Sequence, residues 1–337
     1  MPQLDLIPEA RRDGARAALH AVFGARPFAE FTPVSGGVSG ALILRFEVED
    51  RPHVLRVEPD RVATHDRARN FACMAAAAAA GVAPTVHHAD PDTGVAVMDF
   101  IPGRPLSTFP GGALELAKAL GALTARVRAT PPFPSFGDYP DAIGSLLDAL
   151  KTSPLLAPGE LGPHAEGLAR IRAALPWDAA SLVSSHNDPN PRNILFDGER
   201  LWLIDWELAS LNDPLADLAI LSTEFAEAPE LEDALLQAAF GVAPDPRLRA
   251  RLHVIRLLTR LFYGCIVLDS LGQAGLAAQP LADGFTPAGF RAALAEGGLA
   301  SGTPATAHAF ALMSLGAFRT GVAAPEFSDA LKLVELG

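Results

Sequence analysis

The feature that most constrains the fold is a change of texture near residue 100 of the 337. Before it, short segments rich in β-branched and aromatic residues, at 31–34, 41–47, 53–57, 85–89 and 95–100, read as strands. Turn-forming stretches separate them: Ser35-Gly36-Gly37-Val38-Ser39-Gly40, Glu49-Asp50-Arg51, and Asp90-Pro91-Asp92-Thr93-Gly94. Two segments in this half read as helices, 4–23 and 64–80, and Gly81 is well placed to end the second. After residue 103 the pattern is helical, at 112–128, 141–150, 160–175, 213–227 and 246–270. One hairpin interrupts it, with strands 193–196 and 200–205 flanking the turn signal Asp197-Gly198. The order predicts an α+β fold of two parts: a β-rich part over 1–103 and an α-helical part over 104–337, joined near Ile101-Pro102-Gly103. There is no internal repeat of fixed period.

Charge and cysteine usage narrow the partners. Lys and Arg total 27 against 39 Asp and Glu, a formal net charge of −12. Such a surface lacks the cations needed to displace phosphate counterions, so a nucleic-acid partner is not expected. Cys73 and Cys265 are far apart and form no metal-ligand spacing, which fits a reducing compartment. Residues 1–13 carry Asp5, Glu9, Arg11 and Arg12 rather than a signal-peptide pattern. The longest apolar run, 71–83, is short of the roughly 20 residues that span a bilayer. The expectation is a cytoplasmic enzyme with a small-molecule partner and no membrane association.

The segment 184–218 carries the chemistry. It holds His186-x-Asp188-x-x-x-x-Asn193, then the hairpin, then Ile204-Asp205-Trp206-Glu207. Phosphoryl transfer needs a group to orient a hydroxyl and accept its proton, and hard oxygen ligands for magnesium. An Asp on a tight loop suits the first task. An Asn carbonyl and a carboxylate beyond a hairpin suit the second. The hairpin is what would return Asp205 to the side of Asp188, 205 − 188 = 17 residues earlier.

This block resembles the catalytic and metal-binding motifs of the aminoglycoside phosphotransferase/choline kinase family. The His-Asn-Asp triplet and Ile-Asp-Trp-Glu are closer to the choline kinase branch, and Asn212-Asp213-Pro214-x-x-Asp217-Leu218 also matches. The resemblance spans roughly 31–270. It implies a protein-kinase-like two-lobed fold and ATP and Mg²⁺ as cofactors. It implies Asp188 as the catalytic base, Asn193 and Asp205 as metal ligands, and His186 and Asp217 as structural supports of the site.

In the N-terminal part the resemblance implies that Ser35, Gly36 and Gly37 cover the nucleotide phosphates, that Arg56 contacts them, and that Met98 and Phe100 belong to a hinge whose backbone meets the adenine. A Gly-rich strand–turn–strand can present backbone N–H groups to phosphate, since no side chain blocks the approach. The family pairs its basic strand residue with an acid on the following helix. Here 64–80 contains no Glu and one acid, Asp66, so either Asp66 serves or the pair is missing.

The acceptor is expected to be a hydroxyl of a small molecule, of the choline/ethanolamine-like amino alcohol class. From Asn212 onward there are fourteen acids against eight Lys or Arg, a field that favours cations. Phe262-Tyr263 offers aromatic faces to an ammonium group, and Glu207 is the candidate to face its nitrogen. The rivals are an aminoglycoside or another metabolite as acceptor, and a nucleotide-binding pseudokinase.

Overall fold

The computed structural model describes residues 4–34, 40–59, 66–135, 137–156, 159–275 and 284–335. The Gly-rich stretch Ser35-Gly36-Gly37 lies outside them. In chain order the elements are α1 (Glu9–Phe23), β1 (Thr32–Pro33), β2 (Leu42–Val48), β3 (Arg51–Val57), α2 (Arg67–Ala79), β4 (Val86–Asp90), β5 (Val95–Asp99), α3 (Gly112–Arg128), α4 (Tyr139–Leu150) and α5 (Gly162–Ala174). There follow β6 (Val183–Ser185), β7 (Ile194–Phe196), β8 (Leu201–Leu203), β9 (Ser210–Asn212), α6 (Ala216–Phe225), α7 (Pro229–Phe240), α8 (Pro246–Gln273), α9 (Pro287–Ala295), α10 (Pro304–Ala323) and α11 (Pro325–Glu335).

The expected order of a β-rich part and then a helical part is what the chain forms. The five N-terminal strands make one antiparallel sheet in the order β1-β2-β3-β5-β4. Glu49 and Asp50 both take positive φ, 50° and 61°, and Val48 pairs with Arg51. That is a two-residue hairpin of the kind whose twist matches its strands. Along β2 every second residue from Leu44 to Val48 is buried. Those side chains meet Ala15, Ala18, Leu19 and Phe23 of α1, spaced as one helix face. Phe46 sits edge-on to Phe23 and Phe31, with ring centroids 5.7 and 5.4 Å away. This apolar packing fixes one face of the sheet.

The chain packs as two compact units. One holds 1–135, 183–217 and 224–242, so the sheet and the hairpin β7–β8 belong together; the other holds 136–182, 218–223 and 243–337. In the first unit α3 lies so close to α7 that a Cβ on Gly121 would come 2.2 Å from the Leu235 carbonyl oxygen. The second unit is helical, built on the 28-residue α8 with α10 and α11 against it. Gly264 of α8 permits the contact with α10, since a Cβ there would meet Leu315 at 2.8 Å. Among the described residues, no helix is long and apolar enough to cross a membrane.

Candidate active site

The loop after β6 is built from backbone geometry outward. Asn187 takes φ 64°, a conformation that Asn tolerates better than most residues. It is held on all sides: its Nδ2 donates to Leu208 O and Ser210 Oγ, both at 2.9 Å, and its Oδ1 accepts from Asn212 Nδ2 at 2.7 Å. Asp217, in the first turn of α6, accepts the backbone N–H of His186 at 2.9 Å and that of Asn187 at 2.7 Å. Burial pushes the Asp217 carboxyl up to about 6, even though both N–H groups and the nearby Arg128 pull the other way.

His186 is fully buried and lies 4.6 Å, centroid to centroid, from Trp206. Its Nδ1 accepts the Asp188 N–H at 3.3 Å, and its Nε2 meets Ile204 O at 2.9 Å. That network assigns a neutral ring with the proton on Nε2. Burial favours the same form, depressing the pKa against the opposing pull of Asp188, Ile204 O and Asp205.

Asp188 is thereby presented with both carboxylate oxygens oriented. Asn190 Nδ2 donates to Oδ1 at 2.8 Å, and Asn193 Nδ2 donates to Oδ2 at 2.9 Å. Asn193 closes a 3₁₀ turn, Pro191–Asn193, capped by the Asn190 side chain. With Nδ2 committed to Asp188, the other amide atom of Asn193 is Oδ1, a hard oxygen donor. The hairpin β7–β8 follows at once. Its loop is four residues, not the two that Asp197-Gly198 suggested, because Phe196 pairs with Leu201. Asp197 holds it by accepting the N–H groups of Glu199 and Arg200, each at 2.8 Å, and the Trp202 indole N–H at 2.7 Å. The Ile204 N–H donates back to Asn193 O at 3.0 Å, which returns Asp205 to the loop.

Asp205 adopts φ 67°, ψ 72°, and its side chain is 25% exposed. Arg56 of β3 reaches it, Nη1 to Oδ1, at 3.5 Å. The same guanidinium bonds Glu58 Oε1 through Nε at 2.6 Å and Glu207 Oε1 through Nη2. Burial alone would lower the Arg56 pKa; Glu58, Asp205 and Glu207 outweigh it and raise it. Burial raises the Asp205 carboxyl, Arg56 opposes this and Glu207 adds to the rise. Asp66 is engaged elsewhere: it caps α2 by accepting the Arg69 N–H at 3.0 Å. The acid that Arg56 finds near its own strand is Glu58, one residue past the end of β3. Arg69 of α2 reaches the backbone carbonyls of Glu207 and Ala209.

Sequence reading missed Glu58, Asn190 and Arg69. The i, i+2 spacing of an extended chain could have found Glu58, which continues the line of Arg56 one residue past the end of β3. Met98 lies in β5 and Phe100 directly follows its last residue, Asp99; the Phe100 N–H donates to Pro52 O at 3.2 Å, and Arg45 lies over the Phe100 ring at 5.2 Å. The structure thus brings His186, Asp188, Asn193, Asp205, Glu207, Asp217 and Arg56 into one connected set. Asn193 Oδ1 and the Asp205 carboxylate are oxygen donors of the type magnesium takes, so the residues present fit that ion.

Residues 30–253 match the phosphotransferase enzyme family. The chain belongs to that family. This phosphotransferase is a small-molecule kinase, and kinases of its family use ATP. A choline/ethanolamine kinase family protein from Mesorhizobium loti aligns with a TM-score of 0.69 and 27% identity, over 97% of this chain and 100% of that one. The choline kinase LicA from Streptococcus pneumoniae shares the fold with a TM-score of 0.65 at 14% identity, over 92% and 98% of the two chains. A 56-residue stretch is 46% identical to Protein LicA of Haemophilus influenzae, covering 17% of the phosphotransferase and 21% of that protein. The match therefore spans about a fifth of that relative's length. The fold is the kinase-like α+β arrangement expected from the sequence.

Proposed function

We propose that this phosphotransferase transfers a phosphoryl group from ATP to the hydroxyl of a small amino alcohol of the choline/ethanolamine class. The observation that carries the acceptor class is the likeness to the Mesorhizobium loti protein, which extends over both chains nearly end to end. The His186-Asn187-Asp188 triplet and Ile204-Asp205-Trp206-Glu207 support the same branch.

Asp188 accepts the proton of the attacking hydroxyl at its carboxylate. Asn190 and Asn193 hold that carboxylate by one oxygen each, so its direction is set before substrate arrives. Asp217 fixes the loop by its two backbone contacts, and the neutral His186 spaces Asp188 from Ile204. Asn193 Oδ1 and Asp205 would hold magnesium, which would supply neutralisation of the phosphate oxygens. Arg56 meets the nucleotide phosphates, braced by Glu58. The family resemblance assigns Ser35, Gly36 and Gly37 to those phosphates and the backbone at Met98 and Phe100 to the adenine. Glu207 serves the acceptor's nitrogen.

The test is ADP release with Mg-ATP against a matched panel of amino alcohols, neutral sugars and aminoglycosides. The expected result is the highest kcat/KM with an amino alcohol. A neutral sugar or an aminoglycoside as best acceptor overturns the acceptor class, and no turnover with any hydroxyl overturns the transfer reading.

A further inference from the structure

On the same sheet, beside the Met98 and Phe100 backbone assigned to the adenine and using none of the residues assigned to magnesium, two histidines and a carboxylate converge. We propose that His53, His87 and Asp99 form a binding site for a divalent transition-metal ion of the zinc class. One ligand atom from each residue, all within 4.8 Å of one another, makes the cluster. His87 Nε2 lies 2.7 Å from Asp99 Oδ1, and His53 Nδ1 lies 3.7 Å from the same oxygen. Tetrahedral zinc with bonds of about 2.0–2.2 Å wants donor atoms about 3.3–3.5 Å apart. Small side-chain adjustments therefore reach the required geometry.

Three features of the fold point the donors at one place. His53 and Asp99 stand directly opposite each other in the β3–β5 register. His87 arrives by a bulge: β4 pairs Val86 with Met98 and His88 with Val97, so His87 is the extra residue. A bulge re-aims a side chain that strict alternation would send elsewhere. The His53 and His87 rings end 5.5 Å apart, centroid to centroid.

The second observation is His53 Nδ1 itself. The side chain is 8% exposed and packs on Phe23 and Phe46, yet Nδ1 has no hydrogen-bond partner among the described residues. Buried polar atoms are normally satisfied, and an ion shared with the neighbouring carboxylate and second imidazole would satisfy this one. Two imidazole nitrogens and one carboxylate oxygen select zinc-class ions over magnesium, which takes oxygen ligands. His87 and Asp99 are 30% and 37% exposed, which leaves solvent access for a fourth ligand. A bound ion would tie β3, β4 and β5 together at Asp99, between Met98 and Phe100.

The test is zinc titration of the full chain by calorimetry, with thermal melting as second readout and cobalt(II) absorption as reporter of nitrogen ligation. Wild type is expected to bind one zinc with a raised Tm. His87→Ala and Asp99→Asn should each lose at least tenfold in affinity and lose the Tm shift. His87 is chosen over the core-packed His53 because its truncation leaves the apolar face intact. Asp205→Ala, outside the cluster, should keep the zinc event. Zinc affinity unchanged in both His87→Ala and Asp99→Asn overturns the proposal. So does zinc binding that disappears with Asp205→Ala alone, which would assign the ion to the oxygen ligands of the catalytic hairpin.

Discussion

The catalytic loop and the Arg56 cluster belong to one compact unit and are held in opposite ways. Around Asp188 nearly every tie is a hydrogen bond between neutral groups or from a neutral donor: Asn190 and Asn193 donate to its carboxylate, its own N–H donates to the His186 ring, and two backbone N–H groups donate to Asp217. Around Arg56 the ties are charges, one guanidinium among three carboxylates, with the Arg56 side chain 12% and that of Glu58 2% exposed. A hydrogen-bond network that loses one charge keeps its shape if the replacement still bonds. A charge cluster that loses its guanidinium keeps three acids without the cation they share. The loop is thus preorganised by contacts that no substrate replaces, whereas the cluster is held by groups that nucleotide phosphates and magnesium would also engage.

The sharpest way to separate the two is Asp188→Asn. Asparagine keeps the side-chain shape and removes the base. Turnover should fall by about 10²–10⁴-fold, the usual worth of a positioned general base, while Mg-ATP affinity and unfolding midpoint stay close to wild type. Steady-state ADP release and nucleotide titration check this. More than a tenth of wild-type turnover would return Asp188 to a purely structural role.

Arg56→Ala attacks the other region and should do the reverse. Removing one partner of a buried ion pair costs about 3–5 kcal/mol, because the remaining charge has lost its compensation. Urea unfolding should show a loss of that order, together with a raised KM for ATP. A stability loss under about 1 kcal/mol, within the range of exposed pairs, would mean that water already screens the cluster.

The same contrast marks what could be read from the sequence. The loop and hairpin were legible because their signals are local: Asp188, Asn193 and Asp205 lie within one short stretch, and Asp197-Gly198 marks the turn between them. Even there the hairpin loop came out longer, since Asp197 gathers two backbone N–H groups and an indole N–H across four residues. The charge cluster was only half legible. The sequence offers Asp66 as the acid for Arg56; in the structure Asp66 caps α2, and Glu58, two residues beyond Arg56 and just past the end of β3, takes that place. The three-residue strands β6 and β9 are too short to show a period, yet they set the frame of the catalytic loop. α7 and α9–α11 were not anticipated, although each opens with a proline in its first turn, a start signal in its own right. Phe262, offered as an aromatic face for a cation, is 6% exposed and packs on Tyr139 at 5.1 Å inside the helical unit.

A smaller effect tests the anchor beneath the loop. Burial raises the Asp217 carboxyl to about 6, above the roughly 3.9 of an unfolded chain. The folded state then holds this proton more tightly than the unfolded state. Its contribution to stability is full below about pH 4 and is lost as pH rises through about 6, a difference of about 3 kcal/mol for about 2 units. Other carboxylates titrate in the same window, so the measurement is the difference between wild type and Asp217→Asn. Wild type should gain on the variant as pH falls from 8 to 4. A difference that stays flat with pH would mean that the two N–H donors outweigh burial.

The smallest expected change decides between two uses of one residue. Glu207 is placed to face an acceptor's nitrogen in the proposed reaction, and its carboxylate also bonds Arg56. Glu207→Gln keeps a carbonyl oxygen for Arg56 but removes the charge. The side chain is 14% exposed, so the lost charge is only partly screened. If its main service is to Arg56, the KM for ATP should rise by about 2- to 10-fold, as for one hydrogen bond weakened by about 0.5–1.5 kcal/mol, with the KM for an amino alcohol unchanged. If its service is to the acceptor, the KM for the cationic alcohol rises by a similar factor and that for a neutral alcohol does not. The double variant Arg56→Lys with Glu207→Gln closes the cycle. Additive effects on the ATP KM would uncouple the pair, because residues that act through each other lose less together than the sum of their separate losses. Strong coupling with an unchanged amino-alcohol KM would assign Glu207 to the charge cluster and leave recognition of the nitrogen to other residues.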